Sequence, residues 1–273
     1  MNYSPLRYPG GKSKFSPVIK SLISNNGLVG CHYIEPYAGG AGVALSLLFD
    51  GFVSSITIND IDFAVYAFWS AIVNDNDNFV SRVLSLPVSM DTWHQKKEIL
   101  ENHANYSLLD IAVATFFLNR TNRSGILKAG VIGGKEQSGN YKLDARYNLS
   151  RLIPKIKKIG AAKSCINVSN IDAKDLIKNV PCLEADNTFI YLDPPYYVKG
   201  QGLYRNYYEH NDHVEIMNSL KGAKFRWVVS YDDNKSIRDI YKGFRVENYS
   251  LNYSAHVKSK GSEVVIYSPN LLV

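Results

Sequence analysis

The stretch that decides the fold is Phe-Ile-Tyr-Leu-Asp-Pro-Pro-Tyr, residues 189–196. Its first four side chains are apolar or aromatic, which predicts a buried strand over residues 188–192. Two consecutive prolines cannot extend a hydrogen-bonded ladder, and each pushes the residue before it toward extended geometry. The strand is therefore expected to end at Asp193, whose carboxylate would lie at the carboxyl edge of a parallel sheet. Open α/β folds bind their ligands at that edge.

The rest of the chain shows a βα alternation that is interrupted once. Further strands are predicted over residues 32–34, 55–58, 165–168, 225–230, 244–251 and 263–267, the last two as an antiparallel pair. Helices are predicted over residues 43–49, 63–72, 108–118, 172–179, 212–220 and 234–241. Residues 121–148 are rich in glycine, asparagine and charge, which indicates loops or a hairpin. The pattern is typical of one α/β domain with a helical insertion.

Positive charge is concentrated in that insertion. Residues 120–163 hold eleven lysines or arginines and two acids, whereas the whole chain has a formal net charge of +6. Such a block is the footprint expected of contacts with a nucleic-acid backbone. We therefore expect an α/β domain formed by residues 1–62 and 164–273, and a nucleic-acid-binding insertion over residues 63–163.

The cysteines and histidines exclude several classes of protein. Cys31, Cys165 and Cys182 form no C-x-x-C pair, and the six histidines show no metal-ligand spacing. Neither a disulfide framework nor a metal site is expected. The N-terminus lacks a signal-peptide pattern, and no apolar run is long enough to span a bilayer, which predicts a cytoplasmic location without a membrane partner. His210 and His213 flank a predicted Asn-Asp turn and are expected at the surface.

A second informative segment reads Glu-Pro-Tyr-Ala-Gly-Gly-Ala-Gly, residues 35–42, between a predicted strand and a predicted helix. Glycines at such a turn let a ligand approach the backbone closely. Asp60 lies twenty positions after Gly40, where an acid can bind ribose hydroxyls. Leu45 stands where the dinucleotide fingerprint has its last glycine, which disfavours NAD and FAD and favours a nucleoside without a pyrophosphate.

The Asp-Pro-Pro-Tyr segment suits methyl transfer to an aromatic amine. An adenine amine is a weak nucleophile because its lone pair is delocalised into the ring, and two acceptors on its N–H groups would favour a pyramidal nitrogen. Asp193 supplies a carboxylate, and the Pro194 carbonyl can supply the second acceptor. Tyr196 offers a flat face for a base that is drawn out of a duplex. A rigid structural loop is the alternative explanation for this tetrapeptide taken alone.

Together these segments resemble the Dam-type, class α DNA adenine methyltransferases, in which a glycine-rich loop precedes a target-recognition insertion and an Asp-Pro-Pro-Tyr motif. The resemblance spans nearly the whole chain, and it implies that residues 1–62 and 164–273 form a catalytic domain and residues 63–163 a DNA target-recognition insertion. It implies a Rossmann-like α/β fold that transfers the methyl group of S-adenosylmethionine to the 6-amino group of a flipped-out adenine in double-stranded DNA. The cofactor-binding residues that it implies are Tyr8, Lys12, Glu35, Tyr37, Gly39, Asp60, Asp172 and Asp193. The catalytic residues that it implies are Asp193, Pro194 and Tyr196.

The cofactor loop departs from the family pattern F-x-G-x-G at two positions. Tyr37 stands for the phenylalanine and keeps an aromatic ring, whereas Ala41 stands for the second glycine and has Gly42 beside it. Farther along, Ser230 belongs to Val-Ser-Tyr-Asp, residues 229–232, which resembles a later motif that lines the base pocket.

The basic block contains the candidate DNA contacts. Residues 119–120 and 124–125 resemble the start of the family's recognition hairpin. The predicted DNA-binding residues are Arg120, Asn122, Arg123, Lys128 and Lys135. Arginine can read guanine through two hydrogen bonds, whereas lysine more often contacts phosphate. Arg120 is expected to contact the backbone and Arg123 or Lys128 to contact a base, although a phosphate contact is the commoner role of any one such residue.

Two other functions are compatible with parts of the sequence. One is methyl transfer to RNA adenine, to cytosine or to a protein glutamine, but an aspartate at the head of the Pro-Pro-Tyr motif and the basic insertion favour adenine in DNA. The other is a DNA-binding regulator without turnover, against which the intact Asp193, Pro194 and Tyr196 argue. A monomer is expected because one base is modified per event. A partner restriction enzyme is left open.

Overall fold

The computed structural model describes residues 2–8, 11–180, 185–197, 208–251 and 261–273. The strands in this part of the chain are β1 (Cys31–Glu35), β2 (Val53–Asn59), β3 (Ile166–Ser169), β4 (Thr188–Leu192), β5 (Arg226–Asp232), β6 (Arg245–Leu251) and β7 (Gly261–Tyr267). The helices are α1 (Ser16–Asn25), α2 (Gly42–Phe49), α3 (Phe63–Asn74), α4 (Asn76–Leu84), α5 (Met90–Glu101), α6 (Leu108–Thr121), α7 (Leu149–Ala161), α8 (Ala173–Lys178), α9 (His210–Leu220) and α10 (Lys235–Ile240). Every strand and helix predicted from the sequence is present, whereas α1, α4, α5 and α7 were not predicted.

The strands form one sheet in the order β3-β2-β1-β4-β5-β7-β6. β1 lies between β2 and β4 and is parallel to both, and β4 is parallel to β5. β7 is antiparallel to its two neighbours, β5 and β6, which confirms the predicted closing pair. A mostly parallel sheet with helical connections is the Rossmann-like α/β fold that the sequence predicted.

The strand order places a ligand crevice at β1. β2 lies on one side of β1 and β4 on the other, so the chain reverses its direction of winding there. Ligands bind outside the carboxyl ends of the strands at such a point. Glu35 ends β1, Asp60 follows β2, and Asp193 follows β4. The topology therefore gathers three carboxyl groups at one edge of the sheet.

The chain folds as two compact units. The first unit consists of Met1–Gly11, Gly39–Gly42 and Asp62–Asn170, and the second consists of Lys12–Ala38, Val43–Ile61 and Ile171–Val273. These units differ from the predicted domains in grouping residues 1–11, residues 39–42, Asp62 and residues 164–170 with the insertion. The assignment of catalysis to residues 1–62 and 164–273, and of target recognition to residues 63–163, stays a prediction. Among the described residues, no helix is both long and apolar enough to cross a membrane.

The core of the second unit covers the strands that carry the site. Every residue of β4 is buried, and Trp227 and Val229 of β5 belong to the same apolar cluster as Ile190. α9 contributes Ile216 and Leu220 to this cluster. Because buried strands cannot shift their register without exposing apolar side chains, the residue that follows β4 is held in a defined position.

The first unit has its own aromatic core. The rings of Phe68, Phe79 and Phe116 lie with their centroids 5.7 to 6.0 Å apart. They join α3, α4 and α6, and the last two turns of α6 lead directly into the basic segment. Asp62 caps the start of α3 by accepting a hydrogen bond from the backbone of Ala64.

The prediction that His213 lies at the surface was wrong. His213 is fully buried, and its Nδ1 lies 2.9 Å from the hydroxyl of Tyr231. The residues from 210 onward form a helix instead of a turn, so His213 falls on the same inward face as Ile216 and Leu220. Burial lowers the pKa of His213 to about 4. His210 is exposed, as predicted.

Candidate active site

The carboxylate of Asp193 is anchored by the neighbouring strand. Ser230 Oγ donates a hydrogen bond to Asp193 Oδ1 over 2.8 Å, and Tyr191 Oη lies 2.8 Å from Ser230 Oγ. An ionised carboxylate can only accept, so the Ser230 hydroxyl donates to Asp193 and accepts from Tyr191. Ser230 and Tyr191 are both buried. With Oδ1 engaged in this way, Oδ2 is the oxygen of Asp193 that is left for a substrate N–H.

A buried lysine lies beside the same carboxylate. Lys12 Nζ is 3.7 Å from Asp193 Oδ1 and 2.5 Å from Glu263 Oε1, and the Lys12 and Glu263 side chains are 2% and 4% exposed. Tyr196 Oη donates to Glu263 Oε1 over 3.2 Å, and Lys12 Nζ lies 5.5 Å from the centre of the Tyr196 ring. When both acids are ionised, two negative charges face one positive charge. This arrangement is suited to a ligand with a positive charge.

The pKa of Asp193 is set by opposing influences. Burial raises it above its ordinary value, and the negative charge of Glu263 adds to the rise. The ammonium of Lys12 and the hydrogen bond from Ser230 act in the opposite direction, because both stabilise the ionised form. The acceptor strength of Asp193 therefore depends directly on Lys12 and Ser230.

Glu35 supplies a second buried carboxyl group, at the end of β1. Its Oε1 accepts hydrogen bonds from Tyr33 Oη and from the backbone N–H of Ala44, both over 2.9 Å. No lysine or arginine of the described chain pairs with it. Burial raises the pKa of Glu35 to about 8. A cationic group of a ligand at this carboxyl would favour its ionised form, so the residue fits the ammonium of an amino-acid ligand.

Asn59 brings the two remaining acids of the predicted cofactor site near each other. Its Nδ2 donates to the carbonyls of Pro36 and Ile171 over 2.9 and 3.0 Å, and its Oδ1 accepts from the N–H of Ile171 over 3.1 Å. Asp60 follows Asn59 and is buried, and Asp172 follows Ile171. Asp172 Oδ1 also caps α8 by accepting a backbone N–H. The sequence analysis gave Asn59 no role, because the sequence around a polar residue at a strand end does not show which backbone groups it will hydrogen-bond.

Tyr37 lies in an aromatic group next to these acids. Its hydroxyl is 3.0 Å from that of Tyr208, and the two rings meet edge to face with their centroids 5.9 Å apart. Burial, together with the negative charge of Asp172, raises the pKa of Tyr208 to about 12. Tyr37 and Tyr208 are therefore neutral donors and apolar walls at neutral pH.

In the first unit, the glycine-rich loop packs against Tyr8. A Cβ at Gly39 would come within 2.6 Å of the Tyr8 ring, and Gly39 has a φ of +46°, so residue 39 must be glycine. Trp69 Nε1 donates to the Gly39 carbonyl over 2.8 Å. Ala41 also has a φ of +46°, in the left-handed region that an alanine rarely adopts. Such strain is typical of functional turns.

The predicted DNA contacts of the first unit fall into two groups. Arg123, Lys128 and Lys135 are exposed around a turn in which residues 122 and 131 form an antiparallel bridge, so the predicted hairpin is present in reduced form. Arg120 is half-buried, and its Nε donates to the carbonyl of Arg146 over 2.7 Å.

Asn122 does not fit its predicted role as a DNA contact. It is 1% exposed, and its Oδ1 accepts from Trp93 Nε1 over 2.7 Å. Its Nδ2 donates to the carbonyls of Ile126 and Leu127 over 3.1 and 3.0 Å. Every polar atom of the amide is thus used within the chain, and Asn122 shapes the turn that presents Arg123.

The structure adds two residues to the site that sequence reasoning left without a defined role there. Ser230 was placed only in a motif that resembles part of the base pocket, and Glu263 was read as the first residue of a strand. Ser230 reaches Asp193 because β5 lies beside β4, and Glu263 reaches Lys12 from β7, the other neighbour of β5. The one sequence feature that could have indicated a role for Glu263 is its position next to the apolar residues of a predicted strand. Among the described residues, no group of three or more His, Cys, Asp or Glu side chains could hold a metal ion.

The carboxyl edge of the Rossmann-like sheet carries an Asp-Pro-Pro-Tyr segment and two further strand-end acids, and the chain also contains a glycine-rich loop. Together these features define an amino-methyltransferase. The model of the D12 class N6 adenine-specific DNA methyltransferase family matches residues 8–255. The chain belongs to this family and is an adenine-specific DNA methyltransferase.

Two comparisons describe what the chain is similar to. It is 24% identical to the Type II methyltransferase M.MjaIII of Methanocaldococcus jannaschii, in an alignment that covers 89% of each protein. Among solved structures, it aligns with the Escherichia coli protein yhhF, which is named as a methyltransferase candidate. That alignment has 12% identity and a TM-score of 0.37, and it covers 97% of this chain and 89% of the other. A similarity this low carries no argument about function.

Proposed function

We propose that this enzyme methylates a flipped-out adenine at N6 within a specific double-stranded DNA sequence, and that Asp193 orients the amine. S-adenosylmethionine, the methyl donor that a methyltransferase family implies, would supply the electrophilic methyl group. The observation that supports the proposal most strongly is the fixed carboxylate of Asp193, whose Oδ1 is held by Ser230 and faces Lys12. The oxygen that is left, Oδ2, is then a preorganised acceptor.

The proposed reaction requires little acid–base chemistry. One N6–H donates to Asp193 Oδ2 and the other to the Pro194 carbonyl, which turns the lone pair of nitrogen away from the adenine ring. This lone pair would attack the methyl group, whose bond to sulfur would break as the new N–C bond forms, and the proton of the resulting cationic nitrogen would then pass to water. Tyr196, whose hydroxyl is held by Glu263, offers its ring to the flipped base. The developing positive charge is stabilised by the ionised Asp193.

The proposed cofactor residues divide by chemistry. Glu35 would hold the ammonium of the amino-acid part, and the carboxylates of Asp60 and Asp172 would accept hydrogen bonds from ribose hydroxyls and the adenine amine. Tyr37 would pack against the nucleoside, and Lys12 would act on Asp193. Tyr8 and Gly39 shape the glycine-rich loop of the first unit.

The proposed DNA contacts are the exposed cations of the insertion. Arg123 and Lys128 are candidates for base contacts, and Arg120 and Lys135 for backbone contacts. Asn122 is left out because its amide is buried and satisfied.

The experiment that tests the proposal measures transfer of labelled methyl groups from S-adenosylmethionine to unmethylated duplex DNA. Asp193→Asn should lower the rate by at least about 100-fold, the loss expected when a preorganised electrostatic group is removed. DNA binding should persist in this variant. Asp186→Asn, at a side chain that is 91% exposed, is the matched control and should keep the wild-type rate.

The same experiment separates the alternatives. Label in N6-methyladenine that depends on Asp193 supports the proposal. Label that enters RNA or a protein instead of DNA contradicts it, and tight DNA binding by the wild type without any methyl transfer would identify a regulator.

A further inference from the structure

A group of cations surrounds the N-terminal segment, residues 2–8, within the first unit. This cation cluster consists of Arg7, Arg120, Arg146 and Lys155. The charges lie close enough to act on one another. Burial and the charges of Arg7 and Arg146 lower the pKa of Arg120 to about 10. Burial and the charge of Arg120 likewise lower the pKa of Lys155.

The hydrogen bonds of the cation cluster go to backbone carbonyls. Arg7 Nη1 donates to the carbonyl of Asn122 over 3.1 Å, and Arg120 Nε to that of Arg146 over 2.7 Å. Lys155 Nζ donates to the carbonyl of Asn2 over 2.5 Å. In the described part of the chain, none of the four side chains forms an ion pair with a carboxylate. No carboxylate of the described residues therefore compensates this positive charge.

The backbone at Arg7 is held firmly. Asn119 Oδ1 accepts from the Arg7 N–H over 2.8 Å, and Asn119 Nδ2 donates to the Arg7 carbonyl over 2.7 Å. Gly125 packs on the same carbonyl so closely that a Cβ there would lie 2.5 Å from its oxygen. The cluster is thus preorganised, although bringing like charges together is unfavourable in the absence of an anion.

The cluster also has N–H donors that its described hydrogen bonds do not use. A guanidinium carries five N–H donors in a planar fork. Arg7 uses one of them and Arg120 uses two in the described contacts, and the side chain of Arg146 is exposed. Arg7 and Arg120 therefore keep N–H donors that the described contacts do not use, and the exposed Arg146 presents its guanidinium to solvent.

We propose that the cation cluster of Arg7, Arg120, Arg146 and Lys155 binds a backbone phosphate of the DNA substrate. The inference rests on the proposed function, in which duplex DNA is the substrate. A phosphodiester matches the chemistry, since it carries one negative charge over two oxygens that fit guanidinium forks. The contact reads no base and positions the DNA on the first unit.

The test uses two variants of the cluster and one matched control on α7. Arg146→Gln and Lys155→Gln each remove a cation while keeping a polar side chain. Lys157→Gln removes an exposed cation two residues from Lys155, about 200° around the helix. Binding to an unmethylated duplex of mixed sequence is measured by fluorescence anisotropy over a range of salt concentrations.

Each cluster variant should weaken binding by about 3- to 10-fold at low salt and reduce the slope of log K against log salt by about 0.9, the value for one lost phosphate contact. Lys157→Gln should keep the wild-type affinity and slope. In the absence of DNA, Arg146→Gln should also raise the thermal melting temperature at low ionic strength, because it relieves repulsion among the cations.

Three results would overturn the inference in different ways. Wild-type slopes in both cluster variants, with steep salt dependence in the wild type, would show that DNA contacts the chain elsewhere and would leave the proposed function intact. Failure of the wild type itself to bind or methylate DNA would remove the proposed function and this site together. A melting temperature that falls in Arg146→Gln, with unchanged DNA affinity, would assign the cluster a structural role.

Discussion

The two oxygens of Asp193 have different surroundings, and this difference is a property of single side chains. Oδ1 accepts from Ser230 and faces Lys12, whereas Oδ2 accepts no hydrogen bond in the described part of the chain. A carboxylate held on one oxygen cannot rotate freely, so its second oxygen has a defined direction. Ser230 is therefore a positioning residue that acts through Asp193.

Replacing Ser230 by alanine should reduce kcat by about 10- to 100-fold, since a hydrogen bond to a charged group contributes about 1.5–3 kcal/mol. The KM values for DNA and cofactor should change little. The hydrogen bond stabilises the ionised carboxylate, so its loss should raise the pKa of Asp193 and move the acidic limb of the kcat profile to higher pH. Steady-state kinetics from about pH 5 to about pH 9 checks both effects.

Ser268→Ala is the control for that variant. Ser268 is also buried, and its hydroxyl accepts from the backbone N–H of Trp227, away from Asp193. It should lower stability without moving the pH profile. Ser230→Thr should restore part of the activity. A pH profile that is unchanged in Ser230→Ala would contradict the positioning role.

Glu35 predicts a pH dependence of stability. Its pKa of about 8 in the folded protein exceeds the ordinary value of 4.5, so the folded state binds more protons between these values. Stability should therefore decrease as pH rises through this range. Glu35→Gln removes the titration and keeps an oxygen for both hydrogen bonds. Relative to the wild type, its free energy of unfolding should therefore increase by on the order of 3 kcal/mol between about pH 5 and about pH 8.

Urea unfolding of both proteins across this range measures the difference. Parallel stability curves would contradict the assignment of a raised pKa to Glu35. If Glu35 also binds the cofactor, the same variant should show weaker cofactor binding by calorimetry.

At the scale of elements, β7 closes the catalytic edge of the sheet. It is antiparallel to β5 and carries Glu263, which neutralises Lys12 from the N-terminal part of the second unit. The pair is nearly inaccessible to water, so each buried charge is stabilised by the other, and Lys12 also faces Asp193. This contact joins residues that are 251 positions apart in the chain.

Glu263→Gln should lower the free energy of unfolding by about 1.5–3 kcal/mol, the usual contribution of a hydrogen bond to a charged group, because Asp193 still lies 3.7 Å from Lys12. The matched control is Glu215→Gln, which breaks the more exposed pair of Glu215 with Lys174 and should cost less than about 1 kcal/mol. Chemical denaturation of the three proteins gives the comparison. Equal losses in the two variants would mean that the Lys12–Glu263 pair has no special role in stability.

At the scale of the whole molecule, positive charge is concentrated in one segment of the chain. Residues 120–163 hold eleven of the 31 basic residues and two of the 25 acids, so they are more positive than the whole chain with its net charge of +6. DNA affinity of the wild type should therefore fall steeply with salt, by about 10³-fold or more between 50 and 200 mM if six or more phosphates are contacted. Filter binding at several salt concentrations measures this. A flat dependence would exclude the basic segment from the interface.

Local patterns in the sequence determined much of this protein. The alternation of apolar runs and turn residues was sufficient to predict every described strand. Two prolines were sufficient to place Asp193 at the end of β4. The four helices that were not predicted, and the burial of His213, show the limit of such patterns. Whether a helical face is buried depends on what packs against it, which local periodicity does not contain.

The chemical state of the site was decided by tertiary structure. The sequence determined that Asp193, Glu35 and Asp60 follow strands, and therefore that they share an edge. Only the order of the strands placed Ser230 and Glu263 beside Asp193 and Lys12, and only burial raised the pKa of Glu35. Likewise, only packing turned Asn122 inward and left the cation cluster without a carboxylate partner among the described residues. The physical reason is that desolvation and Coulomb interactions depend on distance in space, whereas a sequence records distance along the chain.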